Sequence, residues 1–395
     1  MDVTDEITDA NNLAAAVRRA VKASGWKEST QKFQCNLLHN IRKLQTEVRN
    51  GAYKQSQGTE FRLNENGHIR MIKALCTKDL ILQHSLVENV LVPRLRPFLI
   101  HDNGASLKGK GISFTRRRFE EHLRRFYREY GLDGYVLKID FRKFFDNIRH
   151  DKLIAAITAK IPDERFKAFL QGLMKSYEID VSYSEDENII DEVFNSLEYA
   201  KIDRRLLTGK RFMAKSMGIG SPLSQIAGIF FPATIDNYVK SVCRVKFYDV
   251  YMDDRIIIHR DKNFLWELLA EIKRQAEGLG LFVNERKTQI VKLSHGFTFL
   301  KTRYILTETG KIIRKVPRDV VIRQRRKMKK LAVFAANGEL TVEQFKEQYL
   351  SWRGDKRRYN AHETLKHMDG LYRRLLKWIT QKKNKSGTKN SVFAT

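Results

Sequence analysis

The 395-residue chain contains no run of eighteen apolar residues, so no helical membrane span is expected. Its first residues, Met-Asp-Val-Thr-Asp-Glu-Ile, are acidic and lack an apolar segment. No secretory signal is expected, and the location read from this is cytoplasmic. Cysteine is scarce: Cys35, Cys76 and Cys243 are scattered and odd in number, which suggests reduced thiols and offers no zinc knuckle. Acid is in deficit. The 74 Lys and Arg outnumber the 46 Asp and Glu, for a formal net charge of +28. Such a field attracts a polyanion, foremost nucleic acid. A membrane surface is disfavoured, because the basic residues are spread along the chain and form no single amphipathic helix. At 42% hydrophobic residues, a chain of this length can bury the cores of two or three domains.

Residues 10–50 carry helical patterning, with Leu13, Val17 and Val21 on one face and Leu37, Leu38, Ile41 and Leu44 on another, separated at Gly25. Extended runs Glu60–Leu63 and His68–Ile72 flank Asn64–Gly67 and read as a hairpin carrying Arg62, Arg70 and Lys73. A helix is expected from Thr77, as N-cap, to about Val90, ended by Pro93 and Pro97. Residues 101–111 hold three glycines with Lys108 and Lys110. They read equally as a loop tracking phosphates and as an ordinary surface loop, and they lack a Walker ending. The arginines 116–118, 124 and 125 follow on a helical pattern whose apolar side is Phe119, Leu123 and Phe126. They suit a solvated surface or a template contact.

The chemistry-bearing stretch is 247–258. Strand-like residues lead to Asp253 and Asp254, then to Ile256–Ile258, as in a hairpin with the acids at its tip. Along a regular strand adjacent carboxylates point to opposite faces, whereas at a turn both can address one site and suit a divalent cation of the Mg²⁺ type. A solvated turn is the plainer reading of the same residues. Upstream, 135–141 reads as a buried strand ending at Asp140, a position for a metal ligand or a helix-capping carboxylate. Between them, 217–232 is a Gly/Ser/Pro-rich loop feeding a helix from about Pro222 to Val239. Helical patterning runs to about Met174, an acidic patch lies at 184–187, and Arg204, Arg205, Lys210 and Arg211 follow. An amphipathic helix at Leu265–Leu279 and short strands at Gln289–Leu293 and about Phe297–Leu300 come next. Basic helices start at Arg318, where Trp352 and Tyr359 mix with cations in a combination suited to nucleic acid.

Taken in order, the set resembles the reverse transcriptases: Asp140 with Phe145, Gly220-x-x-x-Ser224, Tyr251-Met252-Asp253-Asp254, a glycine-led strand with Gly280 and Lys287, then Phe299-Leu300. The resemblance covers roughly residues 35–305 and the following helices loosely. It is to compact bacterial members, similar to those of group II introns, diversity-generating retroelements and phage-defence systems. It implies an α+β right-hand polymerase fold. N-terminal helices and fingers would occupy 1–134, and a palm 135–305 with a peripheral or fingers segment at about 160–212. A basic helical thumb would span 306–385, with a disordered tail at 386–395. It implies RNA-directed DNA synthesis by two-metal nucleotidyl transfer with Mg²⁺, Mn²⁺ being able to substitute. Asp140, Asp253 and Asp254, with the Phe141 carbonyl, would hold the ions, and Lys287 would protonate pyrophosphate. Arg70 and Lys73 would meet the triphosphate of the dNTP, Phe145 would exclude a 2′-hydroxyl, and Gly220, Ser224 and Gln225 would line the nucleotide site. Tyr251, Met252, Phe299, Leu300, Lys108 and Lys110 would meet primer or template.

Expected partners are an RNA template, the DNA product, dNTPs and a cognate non-coding RNA, with no membrane; an accessory protein or a second copy is open. The alternatives are an untemplated or RNA-templated nucleotide polymerase, which Phe145 opposes, and a silent nucleic-acid-binding scaffold, which the intact acids oppose. Three departures stand out: Ile219 replaces the family's usual Gln, Gln225 its usual Pro, and Lys301 a frequent Gly. The Ile-Gly-x-x-x-Ser-Gln variant resembles the diversity-generating lineage. An RNase H or endonuclease domain after the thumb is not expected from the few residues that follow it.

Overall fold

Helix formation at the N-terminus is set by side-chain caps. Asp2 accepts from the Thr4 amide, and Asp9 from those of Asn11 and Asn12, opening the helices Val3–Thr8 and Ala10–Ser24. Leu13 and Val17 are buried, and Gly25 closes the second helix. The pattern beyond it divides at Asn36 into Glu28–Cys35 and Leu37–Arg49, with Ile41 and Leu44 buried but Leu38 exposed. This computed structural model describes residues 2–65, 68–182 and 209–391. The acidic patch 184–187 and Arg204 and Arg205 lie outside the described residues.

Strands β1 (Thr59–Glu65) and β2 (His68–Ala74) form the expected antiparallel hairpin, in register Thr59 with Ala74 through Glu65 with His68. The next helix, Thr77–Ser85, includes Thr77 as its first residue instead of its N-cap; Cys76 takes the N-cap position without a side-chain cap, and the helix widens into a π-helical stretch, Leu86–Leu91. The chain continues helically as Val92–Leu95, so Pro93 does not end it. Pro93 occupies the first turn of that last segment, where a missing N–H and a fixed φ are tolerated.

Strand β3 is Tyr135–Ile139, and β4 (Ile179–Asp180) pairs antiparallel with β5 (Phe212–Met213). Strands β6 (Phe247–Tyr251), β7 (Asp254–His259) and β8 (Gln289–Lys292) join β3 in a four-stranded sheet ordered β6-β7-β3-β8. Four consecutive residues of β6 and four of β7 are buried, as in strands covered on both faces. Pro232 divides the expected Pro222–Val239 helix into Pro222–Phe230, Ala233–Asn237 and a π turn at Tyr238–Val242. Asp261 caps the helix Lys262–Leu279, and Gly280 ends it at φ +83°, a left-handed position suited to glycine.

The chain divides into two compact units, one of residues 1–122 and 137–290, the other of 123–136 and 291–395. In the second unit, β9 (Phe297–Phe299), β10 (Thr302–Leu306) and β11 (Ile312–Lys315) form an antiparallel meander. Its helices Arg318–Ala336, Val342–Lys356 and His362–Ser391 pack around Ala332, Ala335, Phe345 and Ile379, with Met328, Tyr349 and Met368 beside them. Arg353 donates to Asp369 at 2.7 Å. The last helix runs into the tail expected to be disordered, and residues 392–395 lie outside the described residues.

Candidate active site

The β6–β7 hairpin pairs Tyr251 with Asp254 and turns on Met252 and Asp253, with Met252 in the left-handed region at φ +55°. A buried cation holds this turn. Arg255, fully buried, donates to the carbonyls of Met252 and Asp253 at 3.3 Å each and to Asp236 at 3.0 Å. Tyr248 donates to the same Asp236 oxygen at 2.6 Å, and the Arg255 guanidinium lies 4.9 Å from the Phe141 ring centroid. Arg255 and Asp236 are not marked by any pattern in the sequence. The signal available was an arginine set between the acids and a buried isoleucine run, where a charge needs a partner.

Asp140 follows β3 directly and is clamped by the segment 282–288. The Asn284 amide donates to its carbonyl at 2.7 Å, and the Asn284 side chain to its carboxylate at 3.2 Å. The Asp140 amide donates to the Thr288 hydroxyl at 3.3 Å, and the Lys287 ammonium stands 3.4 Å from the carboxylate. Asn284 and Thr288 are further residues that the motif order did not single out.

The hairpin brings Asp253 and Asp254 into the field of Asp140. Burial raises the Asp253 carboxyl and Asp140 adds to it, with Arg255 and Arg70 opposing. Burial pushes Asp254 up to about 6, with Lys138 opposing and Asp253 and Asp140 reinforcing it. Lys138 stands 3.9 Å from Asp254. The surrounding cations therefore leave the acids under-compensated. A divalent cation would supply that charge, so the donor set fits hard oxygen-ligated ions.

The nucleotide-site candidates divide. Phe145, at the start of a 3₁₀ turn (Phe145–Asn147), is half-buried and packs edge-on to Phe144 with centroids 5.3 Å apart. Gly220 has φ +119° and lies against Ile72, while Ile219 accepts from the Lys73 amide at 3.3 Å, so the loop is sewn to β2. Ser224 is buried and closes a capping box with Ser221, so its hydroxyl is committed to the helix; Gln225, next along, is exposed. Arg70 acts on Asp253, whereas Lys73 is buried, with its ammonium on the Ser176 carbonyl and over the Tyr177 ring. A buried polar chain, Gln55 to Gln83 to Tyr177 to Ser221, ties the same loop down, with links of 2.7, 2.7 and 3.0 Å.

In the loop 101–111, Lys110 donates to the carbonyls of His101 and Asn103 at 2.7 Å each, while Lys108 is exposed. The loop's buried part pairs with β6: the Gly104 amide donates to Val250 at 2.9 Å and the Val250 amide to Asp102 at 3.1 Å. Ser106 reaches the Met252 sulfur at 3.5 Å, and Tyr251 is half-buried beside the turn. In the second unit, Phe299 and Leu300 are both buried, and Leu300 and Lys301 have φ of +46° and +58°. Trp352 stacks on Tyr349 within that unit's core. Arg323, Arg325, Arg326, Lys327, Lys329 and Lys330 are exposed.

A second titratable cluster lies beside the hairpin. His122 is 2.7 Å from Asp249 and 3.8 Å from Asp102, all three buried. Arg118 and Lys240 stand 3.0 and 3.2 Å from Asp102. Burial would raise Asp102, but His122, Lys240 and Arg118 outweigh it and hold the carboxyl below its ordinary value. At Asp102, Arg118 and Lys240 already occupy the role a metal would have, whereas burial raises Asp249.

Residues 54–304 match the family described as reverse transcriptase (RNA-dependent DNA polymerase), and the chain belongs to that family. Its fold is accordingly the α+β right-hand polymerase fold. No curated protein sequence matches the chain. Among solved structures it is similar to apo telomerase from Candida tropicalis, at 17% identity and a TM-score of 0.42 over 66% of this chain and 49% of that one. A C-terminally truncated form of that telomerase gives 16%, 0.43, 65% and 55%. Telomerase from Candida albicans, in complex with a fragment of telomeric RNA, gives 16%, 0.40, 83% and 54%. The chain thus spans about half the length of these structures.

Proposed function

We propose that this chain copies an RNA template into DNA by adding dNTPs to a primer 3′-hydroxyl. The observation that carries the reading is the under-compensated pair Asp253 and Asp254 at the turn of β6–β7, in one field with Asp140 at the end of β3. Two Mg²⁺ ions held there, with the Phe141 carbonyl, would activate the hydroxyl and neutralise charge on the phosphates. The rest is positioning. Arg255 fixes the turn through its carbonyls, and Asn284 orients Asp140. Lys287 supplies a proton to departing pyrophosphate, Arg70 meets the triphosphate, and Phe145 lies under the sugar and excludes a 2′-hydroxyl. Gly220 and Gln225 border the nascent pair, Tyr251 and Met252 the primer end, and Lys108 the template backbone. Phe299, Leu300 and the exposed basic helix Arg318–Ala336 serve the primer–template duplex. The exposed Gln225 and the Ile219 variant favour a bacterial enzyme of diversity-generating or defence type, working in the cytoplasm on a cognate non-coding RNA. No helix among the described residues is long and apolar enough to cross a membrane.

The test is primer extension on an RNA template with Mg²⁺ and dNTPs. The expected product is template-length and DNase-sensitive; product that survives DNase and yields to RNase rejects DNA synthesis.

A further inference from the structure

We propose that Gly228 is a specificity-determining residue for the nucleotide sugar, acting by setting the depth at which the Phe145 ring sits. The proposal rests on the reading of Phe145 as the sugar gate. Gly228 lies inside the helix Pro222–Phe230, among buried residues and without a left-handed φ. Nothing in its backbone asks for glycine, and glycine in a helix interior is unfavourable by roughly 1 kcal/mol relative to alanine. What the position lacks is space. A Cβ there would stand 2.9 Å from Phe145 Cε1 and 3.2 Å from Cζ, with Phe144 Cε1 at 3.5 Å. The obstacle is thus the Phe145 ring itself.

The ring has little freedom to yield sideways. Phe144 packs edge-on to it at 5.3 Å, and Phe144 is itself buried and 5.8 Å from Phe141. Phe145 is half-buried, so its remaining surface is open. A methyl group at 228 drives the ring away from the helix, toward that open side, where the sugar lies on this reading. The exposed Gln225 sits about one turn earlier on the same helix, three residues before the buried Gly228. The helix that follows the loop therefore also packs against the gate.

The experiment measures single-nucleotide incorporation of dNTP and rNTP by wild type, Gly228→Ala, Phe145→Ala and the double variant. Gly228→Ala should raise the dNTP KM about five-fold with kcat little changed, and should lower rNTP use further, raising sugar selectivity. In the Phe145→Ala background the same substitution should leave both KM and selectivity unchanged, because the clashing atoms are gone. Phe145→Ala that admits rNTPs, alongside Gly228→Ala that behaves as wild type, overturns the role of Gly228 alone. Equal effects of Gly228→Ala in both backgrounds overturn it too. Phe145→Ala that keeps its sugar selectivity removes the gate and this proposal together. If Gly228→Ala is too unstable to assay, its loss of Tm should disappear in the double variant; a loss that persists assigns the glycine to backbone packing and rejects the proposal.

Discussion

Two clusters of acids meet at the same hairpin and differ in how their charge is balanced. At its turn, Asp253 and Asp254 share a field with Asp140, and burial and mutual repulsion raise the first two. On β6, Asp249 pairs with His122, and nearby Asp102 is pinned by Arg118 and Lys240. The second cluster is the tighter group of metal-type donors, with its ligand atoms within 4.8 Å of one another. Donor geometry alone would choose it as the ion site. Charge balance separates them at one residue: Arg118 and Lys240 help hold Asp102 down, while burial raises Asp249 as it raises Asp253 and Asp254. On the proposed function the first cluster binds the ions and the second holds β6 in place.

Exchanging the damage tests that division most strongly. Asp253→Asn should reduce primer extension by about a thousand-fold, roughly 4 kcal/mol in the transition state. Its Tm should stay level or rise, since a desolvated like charge is removed. Asp249→Ala strands the buried His122 and should lower unfolding free energy by about 2 kcal/mol, read by urea titration, with a much smaller loss of activity per folded molecule. A stable, inactive Asp249→Ala together with an unstable Asp253→Asn would invert the comparison.

The three acids, proposed to hold the ions, were legible as a motif because a turn and a strand end present them. Their support was not. Arg255 reads as a polar flank until Asp236, nineteen residues earlier, is brought against it, and only tertiary structure does that. Asn284 and Thr288 escaped for the same reason: their contacts with Asp140 span 144 and 148 residues. Ser224 was legible as a conspicuous serine but not as a cap, because substrate contact and capping call for the same hydroxyl. Lys73 is different. It lies an odd number of positions from Arg70 on one strand, so the two-residue period already sends them to opposite faces. That signal was present and points to Arg70 alone facing the acids. Likewise Lys301 takes a left-handed φ where glycine is frequent, which a motif comparison flags without giving the reason.

Metal titration sharpens the comparison at smaller amplitude. With a millimolar dissociation constant, 10 mM Mg²⁺ should stabilise the wild-type protein by about 1.4 kcal/mol, seen as a rise in Tm without substrate. Asp253→Asn should lose that increment and His122→Gln should keep it. The reverse pattern would move the ion to the β6 cluster.

The smallest effect applies the same charge argument to a cation. Burial pulls the Lys73 ammonium down to about 8 from its ordinary 10.5. The ordinary value holds in the unfolded chain, so between pH 8 and 10.5 the unfolded state binds more protons and stability rises with pH. The penalty for burying the charge is thus fully present below pH 8 and is relieved as pH climbs through that window. Lys73→Met removes the titration. Its stability relative to wild type should therefore fall by about 0.8 kcal/mol between pH 7 and pH 8.5, measured by urea unfolding at each pH. A difference that stays constant across that range would mean the ammonium is adequately solvated or paired where it lies. Lys73 could then swing out to join Arg70 at the triphosphate, and the contrast between compensated and uncompensated charge would lose its third case.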